Sequence, residues 1–272
     1  VFANAPGPPA APPATGLVAS AARPTIDRWE LGLAWQPERC GVGYRLASWG
    51  CDTTPPGYVP PRLGSAYYRP VSLDVADECS TLGGDLDTAR LLRLIEAVTP
   101  YAVARELWLG EATRDDPYTP PRGVEQTNPY LASAAADVVG GTPAEARAAV
   151  GRLEQAALEE TRGQQVMLHV PVAALPHLDG YVRPVGAQLI TLAGSVLVAD
   201  AGYPGTGPAG QPAGATAWAY ATPPVQVLLS TPAVIDDPAA TTSRVNTRTV
   251  LASRMVAAVF DPCALLATEI TL

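Results

Sequence analysis

Catalysis needs nucleophiles, general bases or metal ligands at workable spacings, and this chain of 272 residues offers few of them. Its two histidines are His169 and His177. His169 sits in the apolar run QVMLHVP, which reads as a buried strand, so it is taken as a hydrogen-bonded core group ahead of a general base. His177 falls in the stretch LPHLDGYVRPV, read as a loop, without an evident partner. The four cysteines, Cys40, Cys51, Cys79 and Cys263, form no C-x-x-C pair and lie far in sequence from both histidines, so no zinc site is expected. They are read as small buried apolar groups, with a Cys40–Cys51 bridge as the alternative in an oxidising setting. Lysine is missing altogether: all 18 basic residues are arginine, which removes every reaction that needs an amine side chain.

The motifs that carry common chemistries are not found: no GxSxG, no HExxH, no GxxxxGK[ST], and no GxGxxG between a strand and a helix. Gly202, Gly205, Gly207 and Gly210 alternate with prolines, have no lysine beside them and lead into a strand, so they read as an exposed, mobile loop and not as a phosphate cradle. Asp236 and Asp237, just before Pro238, read as a turn. No cofactor and no metal is expected, and the chain is not read as an enzyme.

Composition sets the outer limits. Apolar residues make up 47% of the chain, enough for a sizeable core. The net charge of −8, with no cluster of arginines, argues against gripping a phosphate backbone. No apolar run approaches the length of a membrane span, and the first residues lack the charged start and continuous apolar stretch of a signal peptide.

The elements that must position any site are read from pattern. Residues 1 to 24 form an Ala/Pro/Gly-rich stretch in which proline removes donors and fixes φ, so it is an arm that becomes ordered only on another surface. Residues 25 to 70 carry Trp29, Trp35, Trp49, Tyr67 and Tyr68 among prolines; these aromatics either anchor a neighbouring surface or cap the chain's own core. YYRPVSLDV reads as a strand. From Asp85 to Leu109, Leu91, Leu92, Ile95 and Val98 form an amphipathic stripe. Pro100 interrupts it, giving one kinked helix or two nearly collinear ones, closed at Gly110. A second helix is expected from Thr142 as cap, with Pro143 at the first helical position and Glu145 completing a capping box, ending at Gly163. Further strands follow: a hairpin over Leu189–Ala199 turning at Ala193-Gly194, then ATAWAYAT, VQVLLS and the closing segment.

Two of these stretches carry a resemblance. ARELWLGE (Ala104–Glu111), at the end of the long helix, resembles the end of the spine helix in tailed-phage major capsid proteins and encapsulins, where an acidic residue is followed by an aromatic and a glycine, here Glu106, Trp108 and Gly110. NTRTVLASRMVAAVFDPCALLATEITL (Asn246–Leu272) resembles that family's closing strands. The resemblance covers residues 70 to 272 and implies an α+β chain with the tailed-phage major capsid (encapsulin-like) fold. Its parts would be an extended N-terminal arm over 1–50, an extended-loop-like segment over 51–80, a peripheral domain with the spine helix over 81–130, an axial domain over 131–224, and return strands of the peripheral domain over 225–272.

The function so implied is structural: the major capsid protein of a tailed bacteriophage, assembled in the host cytoplasm into the icosahedral head of a virion. Partners would be further copies in hexamers and pentamers, a cementing or decoration protein, and enclosed double-stranded DNA bound without sequence specificity; no membrane is implied. Interface residues are expected among Trp29, Trp35, Trp49, Tyr67, Tyr68, Arg105, Glu106, Trp108 and Tyr203. Some members of the family lock their shells with lysine–asparagine isopeptide bonds, which a chain without lysine cannot form. Three other readings remain: a neck or tail-tube component, an encapsulin-type compartment, and a secreted enzyme or cell-wall binder, which would be a monomer with a Cys40–Cys51 disulfide.

Overall fold

The computed structural model describes residues 15–26, 29, 33–35, 66–80, 88–114, 128–211, 215–236 and 247–272. In chain order the first elements are α1 (Leu17–Ser20), β1 (Leu33–Trp35), β2 (Ala66–Tyr68), β3 (Val71–Ser80), α2 (Thr88–Leu109) and α3 (Glu111–Arg114). Next come β4 (Asp137–Val138), β5 (Ala144–Glu145), α4 (Ala146–Glu160), β6 (Met167–Pro171), β7 (Val182–Val185), β8 (Gln188–Thr191) and β9 (Val196–Asp200). The chain closes with β10 (Thr216–Thr222), β11 (Gln226–Leu229), β12 (Ala233–Asp236), β13 (Thr247–Val259) and β14 (Leu266–Thr271).

Two larger sheets organise these elements. In the four-stranded sheet the 13-residue β13 is central, antiparallel to β3 on one side and to β11 and then β12 on the other. The eight-stranded sheet runs β4-β14-β10-β6-β9-β8-β7, with β5 also pairing β14. Strand periodicity turns Val250, Ala252, Arg254 and Val256 of β13 inward, all buried, and Leu91 and Ile95 of α2 pack on Val250 and Ala252. The second half of α2 continues into the largest core cluster, where Val103, Leu107 and Trp108 meet residues of β6, β9, β10 and β13. One helix thus contributes to the cores of both sheets. A second cluster lies under α4, whose Ala146, Ala149, Val150, Leu153 and Ala157 pack on the other face of the eight-stranded sheet.

Arg254 is the polar exception inside the first sheet, 7% exposed. Its Nε and Nη2 donate to the carbonyl of Ser230 at 3.1 and 2.7 Å, and its Nη1 to Glu96 Oε2 at 2.9 Å and Thr99 Oγ1 at 3.3 Å. It clamps α2 to the break between β11 and β12.

The structure corrects several expectations. The long helix is not among them: of the two arrangements that Pro100 left open the single helix is found, α2 being one 22-residue element with Pro100 buried inside it. A proline costs a helix interior about 3 kcal/mol, and the apolar contacts of α2 before and after Pro100 offset it. Gly110 ends α2 as expected, with φ +62° and its N–H on the Glu106 carbonyl at 2.7 Å. The helix expected at Thr142 starts later, at Ala146, because Ala144 and Glu145 are drawn into a parallel ladder with Ile270 and Thr271; tertiary pairing overrides the capping signal. The stretch after β6 is a 3₁₀ turn (Val172–Leu178) followed by β7. The closing segment is split, since β13 belongs to the four-stranded sheet and β14 to the eight-stranded one. Cys263 is disulfide-bonded, to a cysteine whose side chain lies outside the described residues, so the reading of four unbonded thiols fails there.

The largest correction concerns the Gly/Pro stretch after β9. Gly202, Tyr203, Gly205, Gly207 and Pro208 are buried, wedged between α2 and β10. A Cβ on Gly202 would stand 2.5 Å from the Tyr101 carbonyl oxygen, and one on Gly207 would stand 2.4 Å from the Trp218 ring. These glycines serve close approach. Gly202→Val is therefore expected to cost more than the about 1–3 kcal/mol typical of overpacking, read as a lowered midpoint of thermal unfolding. Gly141→Ala, where nothing lies within 4 Å of the added Cβ, should leave that midpoint unchanged.

Candidate assembly surface

The sequence signature at the end of α2 builds an interior hub. Trp108 is 0% exposed and its Nε1–H donates to the carbonyl and hydroxyl oxygens of Thr206 at 3.1 and 3.0 Å. Its ring lies 4.9 Å from that of Tyr203, tilted, and 4.9 Å from that of Tyr220, edge-on, the geometries that aromatic quadrupoles favour. The Tyr203 hydroxyl reaches His169 Nδ1 at 2.9 Å, and His169 Nε2 lies 2.9 Å from Thr222 Oγ1. The single hydroxyl proton of Thr222 goes to the Pro223 carbonyl at 2.7 Å, so His169 must donate from Nε2 and accept the Tyr203 proton at Nδ1. Complete burial holds this imidazole neutral, its pKa pushed down to about 3, and pushes the Tyr203 hydroxyl well up. Trp108 and Tyr203, expected at an interface, have no surface left to offer one; they are core residues.

Trp29 and Tyr68 also cap the chain's own core. They are 6% and 2% exposed and pack with Leu228, Ala257 and Val259. The Tyr68 hydroxyl donates to the Phe260 carbonyl and accepts the Phe260 N–H at 3.1 Å. The backbones of Trp35 and Tyr67 join the β1–β2 ladder, while their side chains and the whole of Trp49 lie outside the described residues.

Arg105 and Glu106 face the surface side of α2. Glu106 caps α3: its carboxylate accepts the N–H of Ala112 at 2.8 Å and the N–H and hydroxyl of Thr113 at 3.3 and 3.2 Å. Burial raises its pKa, and those donors oppose the rise. Arg105 forks Glu111 with two contacts of 3.2 Å. Both side chains are close to half exposed, so this pair adds little to stability. Together with Tyr101, 48% exposed, they rim a groove of about 400 Å³ whose other lining residues include Val71, Leu73, Ala102 and Val256. The groove runs beside β3, a sheet edge on which no further strand pairs among the described residues.

The opposite edge of that sheet is β12, where Val234 and Ile235 are 36% and 49% exposed although neighbouring strand residues point to opposite faces. An uncovered apolar edge strand invites pairing with another chain. Val138, Val172, Val185 and Leu192 add exposed apolar points on the eight-stranded sheet and its connections. Tyr101, Val234 and Ile235 are not among the interface residues expected from the sequence. Helical spacing could have found Tyr101, four residues before Arg105; nothing local marks β12 as an edge. Among the described residues no group of three His, Cys, Asp or Glu could hold a metal ion, and no helix is long and apolar enough to cross a membrane.

The neutral His169 sets a pH signature. Unfolded, it titrates near 6.5; folded, near 3. Its contribution is thus fully present above about pH 6.5 and falls by about 1.4 kcal/mol per pH unit as acid protonates the unfolded chain first. Denaturant titrations between pH 6.5 and 4 should show one proton's worth of slope that His169→Gln removes.

No protein-family model matches the chain, and no curated protein is similar to it in sequence. Its fold does match solved structures along the whole chain. The capsid of an empty GTA particle is 13% identical, with a TM-score of 0.55, over 100% of this chain and 96% of that one. A chain from Microbacterium phage Oxtober96 is 12% identical, with a TM-score of 0.53, over 100% and 96%. A virus-like particle from Pyrococcus furiosus is 8% identical, with a TM-score of 0.50, over 93% and 92%. A long helix laid along a sheet built on one long strand, joined through a shared core to a larger mixed sheet, is here the tailed-phage major capsid (encapsulin-like) fold.

Proposed function

We propose that the chain is a structural shell protein that packs against copies of itself, and that the shell is the icosahedral head of a tailed bacteriophage around double-stranded DNA. The observation that carries this reading is the fold match over the full chain to the capsid of a GTA particle and to a chain from Microbacterium phage Oxtober96. The β12 edge, paired on one side only among the described residues, and the groove beside β3 support it. In this reading α2 and the four-stranded sheet form the peripheral domain, the eight-stranded sheet with α4 forms the axial domain, and β14 returns to the axial side. Hexamers and pentamers are the assembly units, and a cementing protein adds strength that lysine-dependent cross-links cannot supply. A net charge of −8 keeps contact with packaged DNA weak and independent of sequence. The chain acts as scaffold and not as catalyst.

Negative-stain microscopy of the purified protein, sized in parallel by light scattering, tests the proposal. Uniform closed shells are expected; rings or tubes would move the chain to a neck or tail role, and a monomer at all concentrations would overturn self-assembly. Packaged DNA against packaged protein then separates a virion from an encapsulin-type compartment. Ile235→Asp and Tyr101→Asp should each block or weaken assembly while changing protomer stability by less than about 0.5–1 kcal/mol, as surface changes do. Deleting residues 1–24 should leave a folded protomer whose shells dissociate at lower denaturant; intact shells of unchanged stability would refute a role for the arm.

A further inference from the structure

Residues 16–23 are held much as a peptide is held by a receptor. The four-residue α1 is too short to be helical by itself, so its surroundings impose its shape. Asp200, at the end of β9, accepts the Leu17 N–H through Oδ2 at 2.9 Å and the Gly202 N–H through Oδ1 at 2.9 Å. Gln188 of β8 donates to the Ser20 carbonyl at 3.1 Å. Ala22 bridges β11, donating to the Val225 carbonyl at 3.3 Å and accepting the Val227 N–H at 2.9 Å. Leu17 and Val18, 0% and 6% exposed, enter the core beside Val103 and Leu107 of α2. Arg23 folds back on the Val18 carbonyl with contacts of 3.0 and 2.7 Å and closes the unit.

We propose that this groove, formed by β8, β9, β11 and α2, is a peptide-binding site whose ligand is the chain's own Gly16–Arg23 segment, docked reversibly. Recognition uses backbone groups at Leu17, Ser20 and Ala22 and two apolar side chains. A glycine is required at position 16, where φ is +114° and a Cβ would stand 2.5 Å from Asp200 Oδ2. Among the described residues, these contacts all come from residues 16–23 themselves. A cavity of about 20 Å³, room for one water molecule, lined by Thr15, Gly16, Ser20, Leu175, Leu189 and Leu197, lies beside the docked segment. Releasing these eight residues exposes two apolar side chains and breaks a handful of hydrogen bonds, less than global unfolding does, so the segment can open on its own. When docked, the segment ties Asp200 and Gln188 of the eight-stranded sheet to β11 of the four-stranded one, so occupancy of the groove sets how firmly the two sheets are held together.

The test needs no shell and so stands apart from the function proposed above. In the full-length chain, Leu17→Asp with Val18→Asp undocks the resident segment, and a fluorescein-labelled peptide of residues 14–25 is the probe. Saturable binding to this variant is expected, at least about tenfold weaker to the native chain, whose tethered segment competes at high effective concentration. The same peptide carrying Gly16→Val should bind neither. Absence of binding to a variant whose α2 amides stay protected from hydrogen exchange overturns the proposal. If the variant loses α2 protection, the native chain decides: amides of residues 17–22 exchanging at least about tenfold faster than those of α2 support reversible docking, and exchange in step with α2 overturns it.

Discussion

The close approach of the spine helix α2 to the chain leaving β9 is the contact on which the rest of the architecture depends. Gly202 allows it, because any side chain there would enter the Tyr101 carbonyl and the Arg105 backbone. With the backbones in contact, Trp108 reaches Tyr203, Tyr220 and Thr206, and the core under the four-stranded sheet becomes continuous with that of the eight-stranded sheet. A fold of two sheets joined by one helix is only as rigid as that junction. Here the junction is filled by large aromatic rings with satisfied polar tips, which combine buried area with orientation.

Buried polar groups mark the points where elements must keep a fixed register. Arg254 binds α2 to the break between β11 and β12. Glu154 of α4 accepts the hydroxyls of Thr191 and Tyr181, holding the β7–β8 hairpin to the helix. His169 links β6 to β10 and to the stretch after β9, and Asp200 holds the arm. Each is hydrogen-bonded on more than one side, which is what allows such groups inside a core at modest cost. None of them faces an open cavity with a nucleophile beside it. The interior chemistry is that of positioning.

The surface follows a different logic. Most aromatic residues of the described chain are spent inside, and the exposed apolar points fall on sheet edges, on the outer side of α2 and on connections such as those of Val172 and Leu192. A strand edge such as β12 is a hazard in a monomer and a resource in an assembly, because a second chain can pair with it and cover Ile235 at once. The arginine-only basic set suits such contacts, since a guanidinium forks carboxylates and tolerates partial burial better than an ammonium does.

Local pattern by itself determined Leu91 and Ile95 as the buried positions of the α2 stripe, though not Val98, which is exposed; it also determined the stop at Gly110, the β8–β9 hairpin at Gly194 (φ +100°) and the buried strand around His169, because each depends on neighbours within a few residues. The ARELWLGE and closing-strand resemblances were enough to indicate the fold. Tertiary structure decided what those patterns do. It made Trp29, Tyr68, Trp108 and Tyr203 core groups, since an aromatic among prolines reads alike whether its partner surface is its own or a neighbour's. It buried Gly202, Gly205 and Gly207, which look like part of a mobile loop until α2 and β10 are seen to close on them, while Gly210 stays exposed. It pulled Ala144–Glu145 out of a helix start because β14, over a hundred residues later, offered a free edge. It divided the last strands between two sheets, since strand pairing is a property of distant segments and leaves no local mark.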